Sequence, residues 1–178
     1  RLHATYWGPR ADAACSPEGG LQPQGCYWHL DTRPEEHRRM GSSGWMGRLK
    51  LAARAIDLRL KADPLQSVCH GDAKGANILY TNGDGGPVPL VYDFQYCGKA
   101  AVTKDLAYFF NVEACPNAAE EERLLQIYHK ELSHHLQEHG DPVPKIEDLR
   151  TSLELALCDW RRFTEVGLGG WGDSSATR

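Results

Sequence analysis

Residues 66–95 constrain the fold more than any other stretch, because there the apolar residues leave helical spacing for that of short strands. Ser67-Val68-Cys69, Asn77-Ile78-Leu79-Tyr80 and Val88-Pro89-Leu90-Val91-Tyr92 are short apolar runs. Between the second and third lies Thr81-Asn82-Gly83-Asp84-Gly85-Gly86, rich in residues that tolerate the left-handed backbone of a tight hairpin turn. Pro89 has no amide hydrogen to give a ladder, so its strand belongs at an edge or at a strand start. The insert reads as strand, turn and strand.

Everything around it reads as helix or loop. Leu2, His3, Tyr6 and Trp7 share a helical face that Gly8-Pro9 ends. Residues 10–34 are irregular, with Cys15-Ser16-Pro17-Glu18-Gly19-Gly20 and Gln22-Pro23-Gln24-Gly25 supplying turn chemistry. A loop that long inside a compact domain is usually functional or mobile. Residues 35–62 return to helical spacing, with Leu49, Ala52, Ala53, Ile56 and Leu60 on one stripe, a break at Gly41-Ser42-Ser43-Gly44, and Pro64 as the stop. Asp105 is placed to cap a helix through Leu106, Ala107, Phe109 and Phe110. Amphipathic helices follow over 120–139 and 146–163, then an irregular Gly167-Leu168-Gly169-Gly170-Trp171-Gly172 tail. The expected class is α+β, mainly α, in one domain over 1–178.

Composition closes off several classes. With 41% hydrophobic and 25% charged residues in 178, the chain can bury a core and does not read as disordered. Its net charge of −4 gives no basic footprint for nucleic acid or an anionic membrane. No apolar run approaches the roughly 20 residues of a membrane span. The start, Arg1-Leu2-His3-Ala4, has no initiator Met and no signal-peptide pattern, and reads as mid-helix in something longer. Six cysteines form no C-x-x-C pair. In a chain that needs no staples they read as reduced thiols, and the expected compartment is the cytoplasm.

The chemistry gathers in the insert. His70-Gly71-Asp72-Ala73-Lys74-Gly75-Ala76-Asn77 lies between two strands, and Asp93-Phe94-Gln95 follows the next one. Phosphoryl transfer needs these groups: a carboxylate for the acceptor hydroxyl, an amide oxygen and a second carboxylate for Mg²⁺, and a cation for the moving charge. Asn77 falls five positions after Asp72, the offset of a kinase catalytic loop, with an Asp-Phe pair downstream.

His70-Gly71-Asp72, in place of His-Arg-Asp, resembles the aminoglycoside phosphotransferase and choline kinase superfamily of protein-kinase-like fold. Asp93-Phe94-Gln95-Tyr96 and Lys104-Asp105-Leu106-Ala107-Tyr108-Phe109 are similar to its ecdysteroid-kinase-like branch. Leu2-His3-Ala4 with Trp7 is similar to the helix that opens the C-terminal lobe there, and Asp159-Trp160-Arg161-Arg162-Phe163 with Gly169-Gly170-Trp171-Gly172 to its closing helix and tail. The resemblance implies the C-terminal lobe of that fold, ATP as phosphoryl donor, Mg²⁺ as cofactor and a small-molecule alcohol as acceptor. Residue by residue it implies Asp72 as catalytic base, Asn77 and Asp93 as metal ligands, and Lys74 as a catalytic lysine near the transferred phosphate. His70 would brace the loop, and Asp105 would hydrogen-bond its backbone. Gln95 stands where protein kinases keep Gly, which argues against a regulated flip of that segment.

Each of these residues alone has a plainer reading. His-Gly-Asp is an ordinary turn, Asn77 can simply open a strand, and Asp105 can be a helix cap. His129, His134, His135 and His139 share one expected helix; His135 and His139 have zinc-pair spacing, but their segment is polar nearly all round and reads as a solvated face. Glu120-Glu121-Glu122-Arg123 complements a helix dipole, and Gly41, Gly44 and Gly47 mark a helix break rather than a phosphate cradle. Trp28, Trp160 and Trp171 are expected to wall an acceptor pocket with residues 10–34 and the last helices, open to choline-like, steroid-like or sugar-like alcohols.

The residues before His70 hold no strand-rich stretch with a V-A-I-K-like lysine and no Gly-rich phosphate loop. The expectation is a catalytic lobe whose natural packing partner is an N-terminal nucleotide-binding lobe missing from 1–178. The alternative is a truncated or degenerate kinase-like module that binds without catalysis. A protein kinase fits poorly, for want of an Ala-Pro-Glu-like segment and of an activation loop between Asp93 and Asp105.

Overall fold

A computed structural model describes residues 1–114 and 117–167. Cys115, Trp171 and the glycine-rich 168–172 tail lie outside the described residues. The described chain is α+β and mainly helical, with two small antiparallel sheets.

The elements run α1 (Leu2–Thr5), α2 (Pro9–Ala14), α3 (Pro34–Arg39), α4 (Gly44–Lys61), β1 (Gln66–Cys69), β2 (Ile78–Gly83), β3 (Gly86–Val91), β4 (Gly98–Ala101), α5 (Thr103–Phe109), α6 (Ala118–His139) and α7 (Ile146–Gly167). Short 3₁₀ turns sit at Leu30–Thr32 and Gly75–Asn77, and α5 runs into a π-helical turn, Phe110–Ala114. β2 and β3 pair from Ile78↔Val91 to Gly83↔Gly86, leaving Asp84-Gly85 as a two-residue hairpin loop. The helix break read at 41–44 separates α3 from α4.

The core lies between α5, α6 and α7, where Leu106, Leu125, Leu132, Leu136, Leu149, Leu153 and Trp160 are buried. α4 closes it with Leu60, and α1 lies on α6 and β1. A smaller cluster of Ala11, Cys15, Val68 and Cys97 sits under α2. β1 therefore leads into the loop of residues 70–77 from a buried strand, while β2 and β3 are exposed along most of their length.

Four expectations need correction. β4 was read as no strand at all, yet it pairs with β1 from Gln66↔Ala101 to Cys69↔Gly98. The first helix stops at Thr5, short of Gly8-Pro9, and Pro9 instead opens a second one, α2, where its missing amide costs nothing. Residues 10–34 are not a free loop. After α2 they form a strap bonded to the β4 edge: Gly25 N–H donates to Lys99 O at 2.9 Å and Cys26 N–H to Tyr96 O at 3.1 Å, with Cys26, Trp28 and Leu30 buried. Gly25 and Gly98 allow this approach, since a Cβ on Gly25 would lie 2.4 Å from Gly98 O. Finally, Trp28 and Trp160 wall no pocket: both are buried and pack edge to face at 5.2 Å.

Candidate active site

The catalytic loop folds around Asp72. Asn77 Nδ2 donates to Asp72 O at 3.0 Å and to its Oδ2 at 2.9 Å, and Lys74 Nζ donates to the same Oδ2 at 2.9 Å. The 3₁₀ turn Gly75–Asn77 brings Asn77 back over Asp72 and explains the five-residue offset. One oxygen of the carboxylate is thus held by two side chains, and Oδ1 accepts from neither. Asp72, Asn77 and His70 are buried, so these bonds form where water competes little.

His70 bonds through both of its ring nitrogens. The Asp72 amide donates to His70 Nδ1 at 3.2 Å, so the ring carries its hydrogen on Nε2, which donates to Tyr92 O at 2.9 Å. Phe94 packs on the ring with centroids 4.7 Å apart. The ring ties Asp72 to the end of β3, next to Asp93.

Asp105 sits in the first turn of α5 but caps nothing there, since the helix has no side-chain cap. Its Oδ2 accepts the His70 amide at 2.7 Å and its Oδ1 the Gly71 amide at 2.9 Å. Burial pushes its carboxyl up, but the His3 bond and charge and the Gly71 and His70 amides outweigh that, and the group rests below its ordinary value.

Asn77 and Asp93 lie at adjacent strand ends, joined by the Tyr92 N–H to Asn77 O bond of 3.1 Å. Asp93 is exposed, adopts a left-handed φ of 64°, and receives Gln95 Nε2 at 3.3 Å. Asn77 has both its amide bonds on Asp72, and no donor is spent on its Oδ1 among the described residues. An amide oxygen and an exposed carboxylate are hard donors, so the pair fits Mg²⁺ with substrate oxygens and waters as its other ligands.

Two residues join the site that sequence reading did not single out. Tyr108, at the end of α5, lies against Asp72. Burial first, then the Asp72 charge and hydrogen bond, push its hydroxyl well above the ordinary value. Its ring stacks on Trp160 at 4.4 Å. Glu113, on the π-helical turn, lays its carboxylate on Gly75, where a Cβ would meet Oε2 at 2.8 Å. Glu113 comes from across the fold with no local motif, whereas Tyr108 stands in the 104–109 stretch that carries the resemblance, on the same helix as Asp105. On α6, His134, His135 and Glu138 lie together, and His135 Nδ1 bonds Glu138 Oε2 at 2.7 Å.

A carboxylate held by a following Asn and Lys, a second carboxylate beyond a hairpin, and a helix aspartate on the loop amides are consistent with part of a kinase-like lobe. The sequence matches the Ecdysteroid kinase-like family over residues 47–140, more than half of the chain, and the protein belongs to that family. The match covers the catalytic loop, the hairpin, Asp93 and Asp105. No curated protein and no solved structure matches the chain.

Proposed function

We propose that the protein is an ATP-dependent phosphotransferase that phosphorylates a hydroxyl of a small molecule. One observation carries this reading: Asn77 and Lys74 converge on Asp72 Oδ2 and fix the carboxylate at the loop, where an acceptor hydroxyl can meet it. Asp72 orients that hydroxyl and takes its proton as the oxygen attacks the γ-phosphorus of ATP, with ADP leaving. Lys74, beside the base, offsets charge on the moving phosphoryl group. Asn77 and Asp93 would hold Mg²⁺, whose chemistry here is to neutralise phosphate charge. His70 and Asp105 keep the loop in register. Tyr108 and Glu113 bound the approach to Asp72.

The five described cysteines are free, which supports a cytoplasmic enzyme, and the net charge of −4 supports a partner other than nucleic acid or an anionic membrane. A second reading, a kinase-like binding module, is favoured by the want of a Gly-rich loop and a strand lysine within 1–178. The retention of Asp72, Asn77 and Asp93 together favours catalysis.

The test is Asp72→Asn in the full-length enzyme. Turnover should fall by about two to four orders of magnitude with Mg-ATP affinity nearly unchanged, as for loss of a general base. Wild-type turnover would remove Asp72 as the base. Asp93→Ala should abolish Mg-dependent nucleotide binding, and unchanged calorimetric binding would remove the metal assignment.

A further inference from the structure

His3 takes no part in the chemistry assigned above, yet it is built into the support of the catalytic loop. Its side chain, on α1, is 13% exposed. Nε2 donates to Asp105 Oδ2 at 3.1 Å, and Nδ1 shares a hydrogen bond of 2.7 Å with the Tyr128 hydroxyl of α6. The same carboxylate accepts the His70 and Gly71 amides. Three helices and the loop thus meet on one buried group.

The other groups facing Asp105 do not share this task. Cys26 reaches Oδ1 only at 3.9 Å. The Cys69 thiol of β1, the Cys97 thiol and the Tyr128 hydroxyl are all pushed up, by burial first and by the Asp105 charge in part, and stay neutral. Lys104, the preceding residue, bonds Asp159 Oδ2 at 3.1 Å instead. His3 is the one basic side chain bonded to Asp105 among the described residues.

We propose that His3, itself held by Tyr128, is a positioning residue of the catalytic loop: it keeps the Asp105 carboxylate turned so that its two oxygens fix the His70 and Gly71 amides. The physical reason is the scarcity of acceptors on a neutral acid. A carboxylate has two oxygens free to accept, whereas a protonated carboxyl turns one of them into a donor. Without the imidazole, a carboxylate in this buried place is undercompensated and takes up a proton more readily. One loop amide then loses its partner. The catalytic consequence rests on Asp72 being the base, because Asp72 follows directly on the two held amides.

The test is amide exchange at His70 and Gly71, followed by NMR on residues 1–178 across the acid range. In the native chain, protection of both amides should persist through the ordinary carboxylate range. His3→Leu, which keeps bulk but gives no bond, should lower protection by about tenfold, the scale of one lost hydrogen bond, and move its acid loss to higher pH. His3→Gln, whose amide can donate to Asp105 and accept from Tyr128, should restore most of both. Tyr128→Phe should lie between. Native protection and native pH onset in His3→Leu would overturn the proposal. Should that variant not fold, the same result in Tyr128→Phe would do so. If exchange shifts as stated while Asp72→Asn retains turnover in the full-length enzyme, His3 still positions the loop and the base assignment falls.

Discussion

At Gly71 the backbone itself carries function. Its φ is +85°, and a Cβ there would lie 2.2 Å from Tyr96 O. The residue must turn left-handed to offer its amide to Asp105 while the chain passes close to the next segment. Gly71→Ala therefore has both strain and a clash, and should destabilise by about 1–3 kcal/mol, read from urea unfolding midpoints. Asp105 sets a pH dependence at the same place. Its folded value is depressed, so its contribution to stability is present above the unfolded value, about 3.9, and is lost as pH falls through the folded one. Native stability should drop steeply below about pH 4, and Asp105→Asn should flatten that drop while lowering stability at neutral pH. A parallel acid limb in the variant would show that other carboxylates govern it. Asp72, Asn77 and Asp93 stand out as candidates in the sequence because their spacing is local. His3, 102 residues from Asp105, was not, since only folding brings the two together.

Among the elements, α5 and α7 are joined by buried charge as well as by apolar packing. Lys104 Nζ lies 3.1 Å from Asp159 Oδ2 and 3.9 Å from the centre of the Trp28 ring. Arg162 Nε donates to Asp159 Oδ1 at 2.8 Å, and its Nη2 donates to Trp28 O at the same distance. Asp159 thus holds two buried cations and, through them, the strap against both helices. Asp159→Ala would leave both charges without a carboxylate and should cost about 3–5 kcal/mol, measured by denaturant unfolding. Asp159→Asn should also destabilise, because it keeps shape without charge. Wild-type stability in either would mean that apolar packing alone joins the helices. The network also explains which elements the sequence revealed. α4, α6, α7 and the hairpin announced themselves through apolar period and turn residues. β4, Gly98-Lys99-Ala100-Ala101, has no β-branched or aromatic residue; pairing with β1 in the core makes it a strand, where propensity would not. The strap looked like loop because its glycines and prolines signal turns, while its hydrogen bonds go to residues some 70 positions away.

Taken as a molecule, residues 1–178 hold Asp72 in a network of hydrogen bonds, with Asn77 and Asp93 at adjacent strand ends. Within 1–178, however, there is no Gly-rich loop to cover phosphates and no strand lysine to grip them. The hairpin that joins Asn77 to Asp93 is exposed on both faces, with Leu79, Tyr80, Val88 and Leu90 all between 44% and 69% accessible. A two-stranded hairpin is marginal without something packed on it. Phosphoryl transfer depends chiefly on positioning, so half of the contacts yields far less than half of the rate. The purified 1–178 chain should bind Mg-ATP at about millimolar affinity or weaker, worth roughly 4 kcal/mol, and phosphorylate no alcohol in an acceptor screen. Its exposed apolar hairpin should also make it associate at high concentration, and replacing Leu79 and Leu90 by Ser should return it to monomer in sedimentation measurements. Robust phosphorylation by this chain alone would show that the catalytic loop needs no further segment to hold the nucleotide, while leaving the roles of Asp72, Asn77 and Asp93 in place.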